Sequence, residues 1–206
     1  MADNKYFKRA YGKKTLDETM ELYDDWAAEY DQTVQEHGYQ TPRRCAEALM
    51  RHYPDKAISI LDIGCGTGLS GLALHQLGYH NITGSDLNAA MLARAGRLSG
   101  VYQELMLAKQ GNPFDFEQGR FEVITAMGVI ARNHAPPETI LDVMNKLAPG
   151  GVFIFSLNDD TLKEAAYPDR VDQLLEQNIA RCIEDIHGPH MTKLEMGSRV
   201  IVLEKL

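Results

Sequence analysis

The sequence predicts an α/β protein, a mostly parallel β-sheet sandwiched between two layers of helices. Three observations predict it. From residue 58 onward, short apolar runs alternate with helix-length stretches, and strands separated by helices build βαβ units whose strands run parallel. A glycine-rich turn, Gly64-Cys65-Gly66-Thr67-Gly68, stands between the first such run and the first such helix. Finally, 206 residues with 44% hydrophobic and 24% charged side chains suit one domain (1–206) with a full core.

The elements follow in order. Thr15-Leu16-Asp17-Glu18 has capping-box spacing, and Leu16, Met20, Tyr23, Ala27 and Tyr30 then form one helical stripe. Thr41 as cap and Pro42 in the first turn open a second helix, which Pro54 closes. Both helices precede the first strand, so residues 1–55 read as a helical lid or cap. Strands are expected at Ile58 to Ile63, Asn81 to Asp86, Leu105 to Leu107, Phe121 to Met127 and Val152 to Leu157. Helices fill the gaps: Leu69 to Leu77 stopped by Gly78, one capped by Asn88, and one from Pro136-Pro137 to Leu147. Pro149-Gly150-Gly151 turns into the fifth strand. The tail offers a helix around Val171 to Ile179, a weak strand near Cys182 and a clear one at Arg199 to Leu203, making seven strands.

Composition narrows the function classes. The net charge is −8, and an acidic surface repels phosphate backbones, so no nucleic-acid partner is expected. A basic start (Lys5, Lys8, Arg9, Lys13, Lys14), followed at once by an acidic helix face from Asp17 to Asp31, reads as a solvated arm, with an anion-binding arm as the alternative. No run of 18 apolar residues exists and the N-terminus has no apolar signal region, so no membrane partner is expected. Three scattered cysteines make neither a disulfide framework nor a CxxC pair. A cytoplasmic chain, monomeric or homodimeric, is expected.

The chemistry sits in Asp62-Ile63-Gly64-Cys65-Gly66-Thr67-Gly68. Glycines there let the backbone approach a ligand where a Cβ would collide. The N–H groups of the following helix start favour an anionic group such as a carboxylate. Asp86, 18 residues after Gly68, ends the next strand, where a carboxylate can accept two ribose hydroxyls. A dinucleotide fold asks for a third glycine where Leu69 stands, and no tyrosine has a lysine four residues on. A nicotinamide-dependent oxidoreductase is therefore the weaker alternative; a nucleoside-binding protein without turnover is another.

At these residues the chain resembles the class I S-adenosylmethionine-dependent methyltransferases, and within them the Williams–Beuren-region methyltransferase-like branch. The first motif, Leu61-Asp62-Ile63-Gly64-Cys65-Gly66-Thr67-Gly68, resembles the family's LDIGCGTG. Tyr23-Asp24-Asp25-Trp26-Ala27-Ala28-Glu29-Tyr30-Asp31 is similar to its lead-in, and Leu147-Ala148-Pro149-Gly150-Gly151 to its L(K/R)PGG turn. Phe121-Glu122-Val123-Ile124 and the branch's Gly100-Val101-Tyr102-Gln103 complete a likeness over residues 20 to 157. The resemblance implies a Rossmann-like three-layer αβα sandwich with an antiparallel C-terminal strand. It also implies S-adenosyl-L-methionine as cofactor, with S-adenosyl-L-homocysteine as product.

It implies site roles too. Asp62 would orient the loop through backbone N–H groups, Gly64, Cys65 and Gly66 would contact the methionine portion, and Gly68 would complete the cofactor-binding turn. Asp86 would hold the ribose, with Leu87 and Met91 against the adenine. Met127 and Gly128 would border the sulfonium, and Trp26 and Tyr30 would close over the cofactor. The family often carries an acidic residue after the third strand; here Gln110 stands there and would accept from the adenine amino group through its amide oxygen. Tyr30 lies on the apolar stripe, so packing accounts for it equally well, and Cys65 reads as a small filler. His134, in the loop after the fourth strand, is either a general base for the acceptor or a polar loop residue. His187 and His190 have HxxH spacing but no evident third ligand, so no metal is expected. A small-molecule methyl acceptor is expected, with a protein acceptor as the other option.

Overall fold

The computed structural model describes residues 30–132 and 134–206. The helix expected from Thr15, with Trp26 and the side chain of Tyr30, lies outside the described residues. Helices α1 (Tyr30–Glu36) and α2 (Thr41–His52) come first. They are followed by β1 (Ile60–Ile63), α3 (Leu69–Gln76), β2 (Ile82–Asp86), α4 (Ala89–Ala95), β3 (Glu104–Leu107), β4 (Val123–Ala126) and α5 (Glu138–Lys146). The chain ends with β5 (Val152–Asn158), the short α6 (Asp159–Leu162), α7 (Ala166–Glu176), β6 (Ala180–Met191), a 3-10 turn (Thr192–Leu194) and β7 (Met196–Lys205).

The seven strands form one sheet in the order β3-β2-β1-β4-β5-β7-β6. Strands β1 to β5 pair in parallel, and β7 runs antiparallel to both β5 and β6. One face of the sheet buries Ile60, Val123, Val152, Ile154, Val200 and Val202 with Cys45 and Leu49 of α2 and Leu74 of α3. The other face buries Leu61, Ile124, Phe153, Phe155, Ile201 and Leu203 with Ile140, Val143 and Met144 of α5 and Val171 and Leu174 of α7. Successive residues of β1, β4, β5 and β7 therefore go to opposite helical layers, which is why their sequence reads as continuous apolar runs.

Helix α2 belongs to the sandwich: Cys45, Ala46, Ala48 and Leu49 are fully buried. Its start differs from expectation. Gln40 is the N-cap and gives no side-chain cap bond. The Thr41 hydroxyl instead hydrogen-bonds His190 Nδ1 at 2.7 Å and lies 3.2 Å from Ser198 Oγ. Asn88 caps α4 as expected, its Oδ1 accepting from Met91 N at 2.8 Å. The weak strand near Cys182 is a 12-residue edge strand, β6, carrying both His187 and His190. Among the described residues no helix is long and apolar enough to cross a membrane.

Candidate functional site

Strand order reverses between β1 and β4, and ligands of open α/β sheets bind beyond the strands' carboxyl ends at such a switch point. Here β1 runs into the glycine loop. Gly64, Gly66 and Gly68 have φ of 62°, 55° and 99°, the left-handed region that side chains disfavour. A Cβ on Gly64 would stand 2.5 Å from Val129 Cγ2, whereas one on Gly66 would meet nothing within 4 Å. Gly66 therefore turns its bare backbone to open space.

Asp86 at the end of β2 is fixed on both sides. Its Oδ2 accepts the Gly66 N–H and its Oδ1 the Asn88 N–H, each at 2.8 Å. A carboxylate has about four acceptor positions, so each oxygen keeps capacity for a further donor. Burial raises the Asp86 pKa, against the pull of the backbone N–H groups.

Asp62 is fully buried at the end of β1. Its donors are hydroxyls rather than the expected backbone N–H groups: Ser70 Oγ at 2.5 Å and Tyr102 Oη at 2.8 Å on Oδ2, and Thr125 Oγ1 at 2.9 Å on Oδ1. Burial pushes this carboxyl up to about 6, although the three hydroxyls pull it down.

A cavity of about 300 Å³ opens over these strand ends, at the small end of ligand pockets in general. It brings together Gly64, Gly66, Asp86, Leu87, Met91, Gln110, Met127, Gly128 and His134. Asp62, Cys65 and Gly68 stand behind its lining. Cys65 is 3% exposed, and burial drives its thiol far above the ordinary range, as befits an inert filler. Gly68 is the N-cap of α3. Trp26 and the Tyr30 side chain lie outside the described residues.

Other lining residues were not foreseen, among them Ser85, Asn88, Phe114, Val129 and Thr139. Phe114 follows Asn112-Pro113 in an irregular loop with no period to mark it. Tyr39, also unforeseen, sits over Gly128: its hydroxyl is 3.5 Å from Met127 O, and a Gly128 Cβ would come within 2.2 Å of it. The Thr67 hydroxyl donates to the Asp31 carboxylate, tying α1 to the glycine loop.

The two histidines with HxxH spacing find different partners. His187 Nε2 is 2.7 Å from Asp159 Oδ1. His190 is 3% exposed, and burial lowers its pKa to about 4. Among the described residues, no group of three or more His, Cys, Asp or Glu could hold a metal ion.

A family model described as "Methyltransferase domain" matches residues 37–200. The chain is 31% identical over 175 residues to methyltransferase-like protein 27 of Homo sapiens, covering 81% of this chain and 71% of that one. It is 32% identical over 119 residues to the 18S rRNA (guanine(1575)-N(7))-methyltransferase of Saccharomyces cerevisiae, covering 51% of this chain and 43% of that protein. Among solved structures, the [4+2]-cyclase SpnF superposes with a TM-score of 0.71 at 15% identity, over 93% of this chain and 97% of that one. The Burkholderia thailandensis 1,6-didemethyltoxoflavin-N1-methyltransferase, bound to 1,6-didemethyltoxoflavin and S-adenosylhomocysteine, gives 0.66 at 16% identity, over 94% of this chain and 91% of that one. At such identities the two structures speak for the fold alone. Motif, topology and family match agree: the chain belongs to the class I S-adenosylmethionine-dependent methyltransferases.

Proposed function

We propose that the cavity at the carboxyl ends of β1, β2 and β4 holds S-adenosylmethionine, and that the methyl acceptor is a small molecule. One observation carries the cofactor's placement. Asp86 is locked by two backbone N–H groups while lining the cavity, a rigid carboxylate with spare acceptor capacity where a ribose diol would present two hydroxyls. Gly66 supports it, since the space beyond its missing Cβ is open. Leu87 and Met91 supply the apolar wall for the adenine, Gln110 an amide oxygen for its amino group, and Gly64 the bare backbone for the methionine end. Met127 and Gly128 form the border toward the reacting methyl.

The sulfonium supplies an electrophilic methyl, so the protein's share is alignment and exclusion of water. Holding two reactants in line is worth on the order of 7–11 kcal/mol over a free encounter. Tyr39 narrows the approach beside Gly128, which serves that alignment. His134 lines the same cavity and takes a proton only where the acceptor arrives as a protonated hydroxyl or amine. Cys65 takes no part, being buried with a thiol that stays protonated.

The net charge of −8 favours a small acceptor over a nucleic acid. The yeast relative is by its name an rRNA methyltransferase, so RNA belongs among the acceptors to be tested. Titration calorimetry with S-adenosylhomocysteine tests the cofactor site. Asp86→Ala should weaken binding 10- to 100-fold, as expected for losing hydrogen bonds worth about 1.5–3 kcal/mol. Equal affinity in the two proteins would place the nucleoside elsewhere. Methyl transfer from labelled cofactor to a metabolite pool, with RNA as the parallel arm, tests the acceptor class.

A further inference from the structure

We propose that Tyr102 is a positioning residue for the cofactor, setting the shape of the glycine loop from beneath. Tyr102 lies in Gly100-Val101-Tyr102-Gln103, between α4 and β3, and outside the cavity lining. Its backbone is anchored on both sides. Val101 is 3% exposed, and Gln103 N donates to Ile82 O at 2.9 Å.

The ring fills a slot that three glycines make. A Cβ on Gly71 of α3 would stand 2.2 Å from Tyr102 Cζ, one on Gly84 of β2 2.9 Å from Cε1, and one on Gly68 of the loop 3.3 Å from Cε2. Gly71 meets the ring alone, while Gly84 and Gly68 make room for it beside Leu105 and Leu98.

The hydroxyl then joins the two ends of the loop. It donates to Asp62 Oδ2 at 2.8 Å and accepts the Gly71 N–H at 3.1 Å. That N–H lies in the first turn of α3, where backbone donors lack an intrahelical partner. Ser70 Oγ, one residue earlier, reaches the same Asp62 oxygen, and Thr125 Oγ1 ties the other oxygen to β4. The loop of residues 64–68 is therefore spanned between Asp62 and Ser70–Gly71, with Tyr102 clasping both sides. Gly66, at its middle, presents its N–H to Asp86. Without the Tyr102 hydroxyl, Gly71 N–H is left unsatisfied and Asp62 loses one of three donors, so the loop must be ordered by the ligand it binds.

This inference rests on the assignment of the cavity to the cofactor. Tyr102→Phe keeps the ring in its slot and removes the clasp alone. Calorimetry should show S-adenosylhomocysteine binding about tenfold more weakly in the variant, the scale of one hydrogen bond to a charged acceptor. Adenosine, which lacks the methionine end that the loop faces, should lose less than threefold. Thermal denaturation should show both proteins folded. Ser70→Ala, which removes another donor from the same carboxylate, should reproduce the split between the two ligands. Equal loss for both ligands, or no loss for either, overturns the proposal. Failure of the unaltered protein to bind S-adenosylhomocysteine at all overturns the cofactor assignment first, and the clasp with it.

Discussion

The glycine loop and the C-terminal hairpin are held in opposite ways. Around the loop, partners are near in sequence: Ser70 reaches Asp62 across 8 positions, Gly66 reaches Asp86 across 20, and Gly71 reaches Tyr102 across 31. The hairpin of β6 and β7 is fixed to the start of α2 by residues far away in the chain. Thr41 meets His190 across 149 positions, and Arg44 meets Ser198 across 154. The loop's partners are nearer in the chain than the hairpin's, the most distant being Thr125 of β4, 63 positions from Asp62. The hairpin's placement depends on a helix that enters before the sheet begins.

Acid separates the two regions most strongly, because burial displaces His190 of the hairpin and Asp62 of the loop in opposite senses. Burial lowers His190 of the hairpin to about 4, so below its ordinary value of about 6.5 the unfolded chain takes up a proton that the folded one refuses. Its stabilisation is present above pH 6.5 and is lost as pH falls to 4. Asp62 of the loop, pushed up to about 6, takes up a proton in the folded chain first. Its contribution is complete below its ordinary value of about 4 and is lost as pH rises through 6. Each displacement is worth on the order of 3 kcal/mol. Urea unfolding from pH 7 to 4 should show His190→Gln losing less stability than the unaltered protein, and Asp62→Asn losing more. Profiles parallel to the unaltered one would end this contrast.

A smaller effect sharpens the packing side of it. Gly71→Ala drives a Cβ to 2.2 Å from the Tyr102 ring, and overpacking of this kind costs about 1–3 kcal/mol. The midpoint of urea unfolding should fall accordingly. Substituting Tyr102→Ala in the same protein opens the slot, so the pair should be less destabilised than the two single effects added together. Strict additivity would mean that the glycine and the ring do not share the space.

Legibility follows the same division. The central strands β1, β4 and β5 are readable because both their faces are buried, which turns Val152 to Leu157 into an unbroken apolar run, whereas β3 is an edge strand with Glu104 and Leu107 exposed. The loop was readable because left-handed backbone at Gly64, Gly66 and Gly68 demands glycine. Strand β6 was nearly invisible: Arg181, Glu184, Asp185 and His187 give an edge strand no apolar alternation, and Pro189 weakens the pattern further. Thr41 looked like a cap because its type and position fit one, yet its hydroxyl is used by His190. Tyr102 was legible only as part of a resemblance, since nothing local announces that three glycines will surround it. Tyr39 and Phe114 reach the site from segments without period.

Arg44 offers the mildest test. Its Nη1 donates to Pro189 O at 3.1 Å, Ser198 O at 3.0 Å and Ser198 Oγ at 2.9 Å, and Nη2 to Ile186 O at 2.8 Å. Pro189 has no N–H to give the ladder, and the register shifts between Pro189 and Met191, so the guanidinium supplies donors where the sheet cannot. Gly188 admits it, since a Cβ there would stand 2.9 Å from Nη2. Arg44→Met keeps the apolar stem against the hairpin and removes every donor. Water reaches part of this site and replaces some of the lost bonds, so the expected cost is about 1–2 kcal/mol, near the low end for hydrogen bonds from a charged group. Hydrogen exchange should quicken across residues 186–199 while staying unchanged at residues 62–71. Affinity for S-adenosylhomocysteine should hold within twofold, because none of these residues lines the cavity. A matching loss of affinity would show that the hairpin helps shape the cofactor site, and that the two regions are one mechanical unit rather than two.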